Sequence, residues 1–457
     1  MQVSPYLYVD DSIFVKEDGT RLTPGYDSLR ARTLFLNPGM AKILREAAND
    51  DGKLCQLSDS SANTLKDEEL ICEDADALRA ASYARMTLSA SDKSNPIFVL
   101  LPTSYCNMSC GYCGQEHVKG AMTIQHRNRI VERVTKVIEK STTRGISIRW
   151  FGGEPLMAFA TIRAMSKTMI DTAACANVDY RANMTTNGVL LDRRKLTELV
   201  NACQVDEFHI TLDGPADIHD NHRPLKSGSG SFERITGFLR QIIQEEEFSK
   251  VRFILRTNVD TQNSGYVNRY LDQMANMGFG GHPNVLFNLI PVHPWGNDVS
   301  QIQVSNEHFA SEEVLWLKKM SKYGLNTVFL PTQTKKLVCG AVQRASEVIT
   351  SESIYSCTEH PLVPGFDKEA ALIQLSDVSS NCERPLGEFD GWSQQVSRNE
   401  FPCGKCWMLP VCGGHCPKSW YEGTPACPSI KFNIAARLRI VAGQYGLTEI
   451  GDLDYVS

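Results

Sequence analysis

Residues 93 to about 291 repeat one unit six times: a short β-forming run, a turn, and a segment long enough for a helix. The six β-forming runs are IFVLLPTS, ISIRWFGG, YRANMTTNG, EFHITLDG, VRFILRTNV and VLFNLIP. The helical segments between them include Thr123 to Lys140, Ala158 to Ala174, Arg193 to Ala202 and Phe232 to Glu246. Strands that alternate with helices indicate a parallel α/β sheet, and six units predict a barrel shorter than the usual eight-stranded one.

Polar or glycine-rich motifs follow four of these runs. A cysteine triplet follows the first run, GGEP the second, TTNG the third and TLDG the fourth. The carboxyl ends of parallel strands lie on one face of a sheet. We therefore expect all four motifs to converge on a single site.

The triplet Cys106, Cys110 and Cys113 lies in CNMSCGYC, with the spacing Cys-x3-Cys-x2-Cys. Three thiolates can hold three irons of a 4Fe-4S cube and leave the fourth iron open to a ligand that is not protein. Zinc is the alternative, but structural zinc sites prefer four ligands that commonly form two separated pairs. The spacing favours the iron-sulfur cluster.

Composition limits the classes of protein to which this chain can belong. With 457 residues, 42% of them hydrophobic, it can bury more than one core. A net charge of -6 argues against a nucleic-acid partner. No apolar run is long enough to span a membrane, and the N-terminus lacks the pattern of a signal peptide, so we expect no membrane partner and a cytoplasmic location. In a reducing compartment, fifteen cysteines favour metal binding over disulfides.

The triplet followed by GGEP resembles the radical S-adenosylmethionine (radical SAM) superfamily, whose partial (β/α)6 TIM-like barrel this rhythm matches. The resemblance implies that SAM chelates the open iron through its amino and carboxylate groups. By similarity, Tyr112 lies beside the adenine. The residues implied to bind the methionine amino group are Gly152, Gly153, Glu154 and Pro155. Those implied to contact the methionine carboxylate or the ribose are Asn187 and Asp213, with Arg256 and Asn258 at the end of the fifth run.

Each of these motifs also has a simpler interpretation. GGEP alone is compatible with a tight turn that starts a helix, because proline is favoured at the first helical position. TLDG alone is compatible with an ordinary exit from a strand into a turn. The order of four motifs at successive strand ends, with the cysteines first, favours the functional interpretation.

A second group of cysteines lies near the C-terminus, in CGKCWMLPVCGGHC, with Cys427 eleven residues further on. This pattern is similar to the SPASM extension of radical SAM enzymes, which holds two auxiliary 4Fe-4S clusters. The resemblance assigns one cluster to Cys403, Cys406, Cys412 and Cys427, and the other to Cys339, Cys357 and Cys416. The second set lacks a fourth cysteine. One iron of the cluster on this set is open, or it is bound by Cys382 or by a ligand that is not cysteine. A pair of structural zinc sites is the alternative for the whole region.

The chain divides by pattern into residues 1–92, 93–325 and 326–457. The run RTLFLNPGMAKILREA in the first part resembles the small winged-helix domain that recognises the leaders of ribosomally made precursor peptides, here followed by a linker. Such domains add the extended leader to a sheet edge. A subdomain that caps the barrel is the alternative. The second part is the predicted barrel and the third the predicted SPASM domain.

These resemblances imply a radical SAM peptide maturase that receives electrons from a donor such as flavodoxin or ferredoxin. The reduced cluster would cleave SAM to a 5'-deoxyadenosyl radical, which abstracts hydrogen from a precursor peptide and leads to a thioether or carbon-carbon cross-link. One alternative is a sulfatase maturase that forms formylglycine, and another is a non-catalytic, metal-stabilised peptide-binding protein. The sequence identifies no catalytic acid or base. His219, Asp220 and Arg223, in the polar run IHDNHRP, are candidate contacts with the substrate, and a solvated loop is the favoured interpretation of the run.

Overall fold

The N-terminal region consists of antiparallel sheets and three helices. The computed structural model describes residues 1–294, 296–366, 368–377 and 383–453. The first elements are β1 (Gln2–Val3), β2 (Leu7–Val9), β3 (Ser12–Val15), β4 (Arg21–Asp27), β5 (Arg32–Leu36), α1 (Pro38–Ala47), α2 (Asp59–Asp67), β6 (Ile71–Cys72) and α3 (Ala75–Ser91). Strand β4 pairs with β2, β3 and β5, and β1 pairs with β6. The residues after α1 therefore form helices and a strand as far as Ser91.

Strand β4 is missing from the sequence prediction because Pro24 and Gly25, at its centre, are typical of a turn. The Asp10 N–H donates a hydrogen bond to the Pro24 carbonyl (2.9 Å), in the bend between β2 and β3. A Cβ on Gly25 would lie 2.9 Å from the Tyr8 carbonyl oxygen. The two residues thus allow close approach to β2 and do not turn the chain.

The central sheet has the six parallel strands that the sequence predicts. They are β7 (Ile97–Leu100), β8 (Gly145–Trp150), β9 (Asp179–Thr186), β10 (Val205–Thr211), β11 (Arg252–Val259) and β12 (Val285–Pro291). Each pairs in parallel with the next along the chain. The prediction of a parallel α/β barrel sheet is confirmed.

Seven helices accompany these strands among the described residues. They are α4 (Ile124–Ile138), α5 (Phe159–Ala176), α6 (Arg193–Cys203), α7 (Ala216–His222), α8 (Phe232–Ile242), α9 (Val267–Asn276) and α10 (Asn306–Tyr323). Their apolar faces pack on alternate strand residues such as Phe98, Leu100 and Phe253 to form the main core. The intervening strand residues, such as Val99 and Arg256, face the interior of the barrel.

The C-terminal region extends the barrel sheet and completes the N-terminal one. Its elements are β13 (Glu347–Ile349), β14 (Ser353–Tyr355), β15 (Ile373–Gln374), α11 (Trp392–Ser397), α12 (Leu409–Cys412), α13 (Pro417–Tyr421), α14 (Ile430–Gln444) and β16 (Thr448–Asp452). Strand β13 pairs in parallel with β7. Strand β16 pairs antiparallel with β3. The three predicted regions are therefore joined by strand pairing that the sequence did not predict.

Two buried ion pairs attach the C-terminal region to the barrel helices. Arg133 of α4 binds Glu347 of β13 (2.5 Å), and Arg437 of α14 binds Glu313 of α10 (2.6 Å). Each side chain in these pairs is less than a tenth exposed.

Among the helices that the structure describes, none combines the length and the apolar character needed to cross a membrane.

Candidate active site

The three cysteines of the predicted triplet come together in the loop after β7. Cys106 is buried and Cys110 and Cys113 are half-buried. The Cys113 N–H donates to the Cys110 carbonyl (3.2 Å), which closes a tight turn between these two cysteines. Burial, opposed by the charge of Arg223 and assisted by the neighbouring Cys113 and Cys106 thiols, raises the pKa of Cys110 to about 11. Positive charge is therefore needed to hold these thiols together as thiolates.

The GGEP turn after β8 lies directly against the cysteine loop. A Cβ on Gly152, whose φ is +128°, would lie 2.6 Å from the Thr103 carbonyl oxygen, and one on Gly153 would lie 2.5 Å from that of Tyr105. The Glu154 N–H donates to the same Tyr105 carbonyl (2.9 Å). Glycine is required here because the two backbones touch. Pro155 follows as the first residue of a short 3₁₀ turn.

Glu154 and Asn187 connect the second and third motifs to the cysteine loop. The Glu154 carboxylate is fully buried and accepts hydrogen bonds from the Asn187 N–H (2.7 Å), the Thr186 hydroxyl (2.7 Å) and the Leu156 N–H (3.0 Å). The Asn187 side-chain amide donates to the Asn107 side-chain oxygen (2.7 Å). Glu154 therefore holds the TTNG turn in place, a role that the sequence did not indicate.

Tyr112 and Asp213 meet in a buried polar network. The Tyr112 hydroxyl donates to the Asp213 carboxylate (2.7 Å) and accepts from the Asn258 side-chain amide (2.9 Å) and from Arg223. The Asn258 N–H donates to the other Asp213 oxygen (2.8 Å). Burial alone would raise the pKa of Asp213, but the hydrogen bond from His222 and the charge of Arg223 prevail and lower it to about 2. Asp213 is thus held as a carboxylate between cations.

The interpretation of IHDNHRP as a solvated loop is wrong. Its first part forms the end of α7, with His219 fully buried and Arg223 8% exposed. His222 lies between two carboxylates, with Nδ1 3.2 Å from Asp213 and Nε2 2.7 Å from Asp260. The sequence signal for this network was the polar run IHDNHRP, which begins shortly after Asp213 at the end of a strand.

The stability of the protein is expected to depend on pH through His222. Burial opposes the charged imidazole, but Asp213 and Asp260 prevail and raise its pKa to about 9 from the ordinary 6.5. A group whose pKa is raised by folding contributes stability that is fully present below its unfolded pKa and is lost as pH rises through the folded value. We expect the melting temperatures of wild type and His222→Gln to differ most below pH about 6.5 and to converge above pH about 9. A difference that stays constant across this range would contradict the assignment.

Arg256 adjoins the network of Tyr112 and Asp213 through Asn258. It faces the barrel interior from β11, and its Nε donates to the Asn258 side-chain oxygen (2.8 Å). Through Asn258 it adjoins the Tyr112 hydroxyl, and the charge of Glu359 acts on it from the C-terminal region. Arg256 therefore lies between the triplet and the C-terminal cysteines.

The four cysteines assigned to one auxiliary cluster surround a single cavity. Cys403, Cys406, Cys412 and Cys427 all line it, and the Lys431 ammonium donates to the Cys427 sulfur (3.3 Å). Burial, assisted by the other three thiols, raises the pKa of Cys403 to about 12. This donor set suits a cationic iron-sulfur cluster, since the metal charge would stabilise all four thiolates.

The other three assigned cysteines also share one cavity. Cys339, Cys357 and Cys416 line it together with Ile97 and Val99 of β7, Arg149 of β8 and Glu359. The strand residues belong to the inward-facing set, so this cavity opens into the barrel. Cys382, the candidate fourth thiol, lies outside the described residues.

Arg223 also fits the charge of the implied cofactors. Its Nε is buried and has no hydrogen-bond partner among the described residues, while its guanidinium lies beside the Cys110 thiol. A buried cation with a free donor suits the charge of thiolates or of a carboxylate ligand.

Comparison with known proteins agrees with this geometry. Residues 100–255 match the family model of the radical SAM superfamily. Residues 100–255 form a radical SAM domain. The domain implies SAM and one 4Fe-4S cluster, and the radical SAM superfamily is a superfamily of enzymes.

Two curated relatives align with part of the chain. An uncharacterized protein of Synechocystis sp. is 31% identical over 144 residues, which cover 30% of this chain and 34% of that protein. The radical SAM cyclopropyl synthase TigE of Paramaledivibacter caminithermalis is 26% identical over 183 residues, 37% of each chain. The alignments thus span about a third of the length of these relatives.

The fold is also similar to that of a solved structure, native anSMEcpe with bound AdoMet and Cp18Cys peptide. The two are 17% identical, with 77% of this chain and 99% of that chain covered and a TM-score of 0.57. At this identity the likeness establishes a shared fold alone.

Proposed function

We propose that this chain is a radical SAM peptide maturase. It abstracts hydrogen from a residue of a ribosomally made precursor peptide and installs a thioether or carbon-carbon cross-link. Residues 93–325 form the barrel, and residues 326–457 form a SPASM domain with two auxiliary 4Fe-4S clusters. The set Cys106, Cys110 and Cys113 holds the cluster that binds SAM.

One observation carries this proposal: the cavity of Cys339, Cys357 and Cys416 opens into the barrel at β7 and β8. The triplet follows β7, and Arg256 lies between the two cysteine sets. A substrate residue in the barrel interior can therefore adjoin both the SAM site and a second redox centre. Arg149, a cation in the cavity wall whose side chain is accessible, is available to bind a peptide carbonyl or carboxylate.

The reaction balances with two redox centres. When bound, SAM and its cluster supply a 5'-deoxyadenosyl radical that takes one hydrogen atom from the peptide. Closing a cross-link then requires the peptide to lose a proton and one further electron. A cluster at Cys339, Cys357 and Cys416 would accept that electron, so the product is lighter than the substrate by two hydrogens. The chain itself orients the peptide and excludes water.

The anSMEcpe structure contains a peptide, which supports a peptide substrate for this fold. It does not separate cross-linking from formylglycine formation, because both reactions use this architecture. The alternative enzyme would oxidise a Cys or Ser of a sulfatase-like protein to an aldehyde. The third alternative, a non-catalytic metal-stabilised peptide-binding protein, would not cleave SAM.

Turnover of a short peptide encoded beside this gene tests the proposal. Anaerobically reconstituted protein with SAM and a reductant should produce 5'-deoxyadenosine and a peptide lighter by two hydrogens, measured by mass spectrometry. The product should not react with hydrazine. A hydrazine-reactive aldehyde would instead establish the formylglycine reaction, and colourless protein without about twelve irons would contradict both enzyme proposals.

Residues 1–92 contain the proposed winged-helix leader-binding domain, and the outer edge of β5 is the proposed docking edge. The Pro24 carbonyl accepts a hydrogen bond from the Asp10 N–H and therefore points toward β2. Because the backbone groups of successive residues point to opposite sides of a strand, those of Gly25 point toward its partner Leu34 in β5. By the same rule Leu34 points back toward β4, and the N–H of the preceding Thr33 points away from the sheet. It donates to no described residue. An extended leader could pair there as an additional strand.

Thr33→Pro is expected to weaken binding of the leader by tenfold or more, because proline removes the outward N–H while edge strands tolerate it. Thr33→Val keeps the donor and should bind as wild type does. Fluorescence anisotropy with a labelled leader measures both affinities, and melting curves check that the variants fold. Equal affinities of the two variants would refute the β5 edge.

Deletion of the N-terminal region is a poorer test, because it would also disturb the cluster domain. It would take β3 away from β16 and remove the rings of Tyr8 and Tyr26 that pack against Trp407 at 5.5 and 6.5 Å. Trp407 directly follows Cys406. Point substitutions on β5 separate leader recognition from cluster assembly.

The electron donor is proposed to be an acidic protein such as flavodoxin or ferredoxin. A surface cavity beside the cysteine loop is lined by Tyr105 and Asn107, which flank Cys106. The basic residues of the same cavity are His117, Lys119, Lys226 and Arg234. This basic patch is complementary to an acidic partner, in a chain whose net charge is negative.

A further inference from the structure

The cavity of Cys339, Cys357 and Cys416 contains one carboxylate that neither the fold nor the SAM site employs. Glu359 follows Cys357 by two residues and lines this cavity with the three thiols. A 4Fe-4S cube has four irons, so three thiols leave one iron without a cysteine among the described residues. The inference below rests on the proposed function, because it assumes that this set holds a cluster.

Glu359 lies close to two of the three thiols. Among the charged groups near Cys357 and near Cys416, Glu359 has the strongest electrostatic interaction with each thiol. The side chain is half-buried, and its accessible part faces the cavity that the three thiols line. The carboxylate therefore adjoins the position that a cluster on these cysteines would occupy.

The Glu359 carboxylate accepts no hydrogen bond from the described residues. Lys418 and Arg256 are neighbouring cations, but the Lys418 ammonium donates to Glu422 (2.6 Å) and lies over the Phe366 ring at 4.7 Å, and Arg256 Nε donates to Asn258 (2.8 Å). A carboxylate enclosed in a protein cavity without a donor is costly unless another positive group satisfies it. Iron at the fourth corner of a cluster would supply that positive group.

His415 also lines this cavity, directly before Cys416, and Glu347 lines it but pairs with Arg133. A neutral imidazole needs no counter-charge in a protein cavity, whereas a carboxylate does. The need of a carboxylate for a positive partner favours Glu359 over His415.

We propose that Glu359 is the fourth protein ligand of the auxiliary cluster held by Cys339, Cys357 and Cys416. The cluster is then closed to substrate. It accepts an electron from the substrate radical and does not bind a substrate thiolate. Within the proposed function, this assignment limits the second cluster to electron transfer.

Spectroscopy of the full-length chain tests the ligand independently of turnover. The starting protein carries Cys106, Cys110 and Cys113 as alanine, so that only C-terminal iron contributes. In this background we expect about eight irons per chain. The readouts are iron content and the electron paramagnetic resonance spectrum of the reduced protein, with and without 2-mercaptoethanol as a thiolate probe.

We expect 2-mercaptoethanol to leave the spectrum of this starting protein unchanged. Glu359→Gln should shift the spectrum and make it respond to the thiol, because an iron is now open. Glu359→Cys should restore a closed, thiol-insensitive cluster with a four-thiolate spectrum. Glu352→Gln, at an exposed carboxylate seven residues earlier, is the matched control and should change nothing.

Three results would overturn the assignment. The first is a thiol response with Glu359 intact, which would mean an open iron. The second is an unchanged spectrum in Glu359→Gln, or loss of the iron in both Glu359→Gln and Glu359→Cys. The third is a newly thiol-responsive cluster in Cys382→Ser, which would make Cys382 the ligand. Iron loss in Glu359→Gln alone, restored by Glu359→Cys, supports Glu359.

Iron content separates this inference from the proposed function. About four irons in the starting protein would mean that the second cluster is absent, and the assignment of Cys339, Cys357 and Cys416 would fail with it. About eight irons with a thiol response would leave the two-cluster assignment intact and remove only the role of Glu359.

Discussion

Replacement of Cys106, Cys110 and Cys113 by alanine is expected to abolish reductive cleavage of SAM while leaving the C-terminal iron bound. The triplet loop and the C-terminal cavities are formed by separate segments. No residue of the triplet lines the cavity that Cys403 shares with Cys406, Cys412 and Cys427. Iron content should fall from about twelve to about eight per chain, and 5'-deoxyadenosine should fall to background. Iron analysis and chromatography of the SAM products measure the two effects.

Cys175→Ala is the matched control, since Cys175 is an exposed residue of α5 without a motif. It should keep all the iron and the full rate of SAM cleavage. Unchanged cleavage in the triple variant would refute the role of the triplet. Loss of all iron would show that the C-terminal clusters depend on the first one.

Asp213→Asn is expected to have the largest effect on stability among single substitutions in the site. The carboxylate is fully buried and lies 3.2 Å from His222 Nδ1 and 3.6 Å from Arg223, both of them charged when the site is intact. Removing one partner of a buried ion pair typically costs about 3–5 kcal/mol, because the remaining charge stays buried and unpaired. Urea unfolding of the two proteins measures the loss.

The same substitution should also weaken SAM binding, because Asp213 positions the Tyr112 hydroxyl (2.7 Å) beside the cysteine loop. Asp217→Asn is the control. Asp217 pairs with Arg269 at the surface, where both side chains are more than half exposed, and exposed pairs contribute little. Stability of Asp213→Asn equal to that of Asp217→Asn would contradict the buried network.

Local patterns were sufficient to predict the central sheet. Each of the six β-forming runs became a strand, because alternate apolar residues such as Phe98 and Leu100 are buried by helices on one side. The four strand-end motifs also converge as expected, since the carboxyl ends of parallel strands lie on one face. Both the period and the strand direction are properties of short segments, which a sequence displays directly.

The hydrogen-bond and ion-pair partners of the motif residues could not be predicted from such local patterns. The Glu154 carboxylate was expected to bind a ligand, yet it accepts a hydrogen bond from the Asn187 backbone at 2.7 Å. His222 and Arg223 lie in a polar run that is typical of a loop, and only the packing of α7 against the strand ends buries them. Burial of a polar group depends on which segments meet above it, and that is a property of the tertiary structure.

By itself the sequence determined the parallel α/β class, the cysteine groups and their order along the chain, because periodicity and spacing are local. Tertiary structure alone decided that β13 extends the barrel sheet at β7 and that β16 completes the N-terminal sheet at β3. It also decided that Glu359 faces the same cavity as three cysteines. Strands paired across hundreds of residues carry no mark of their partner, since backbone hydrogen bonds are the same for every sequence.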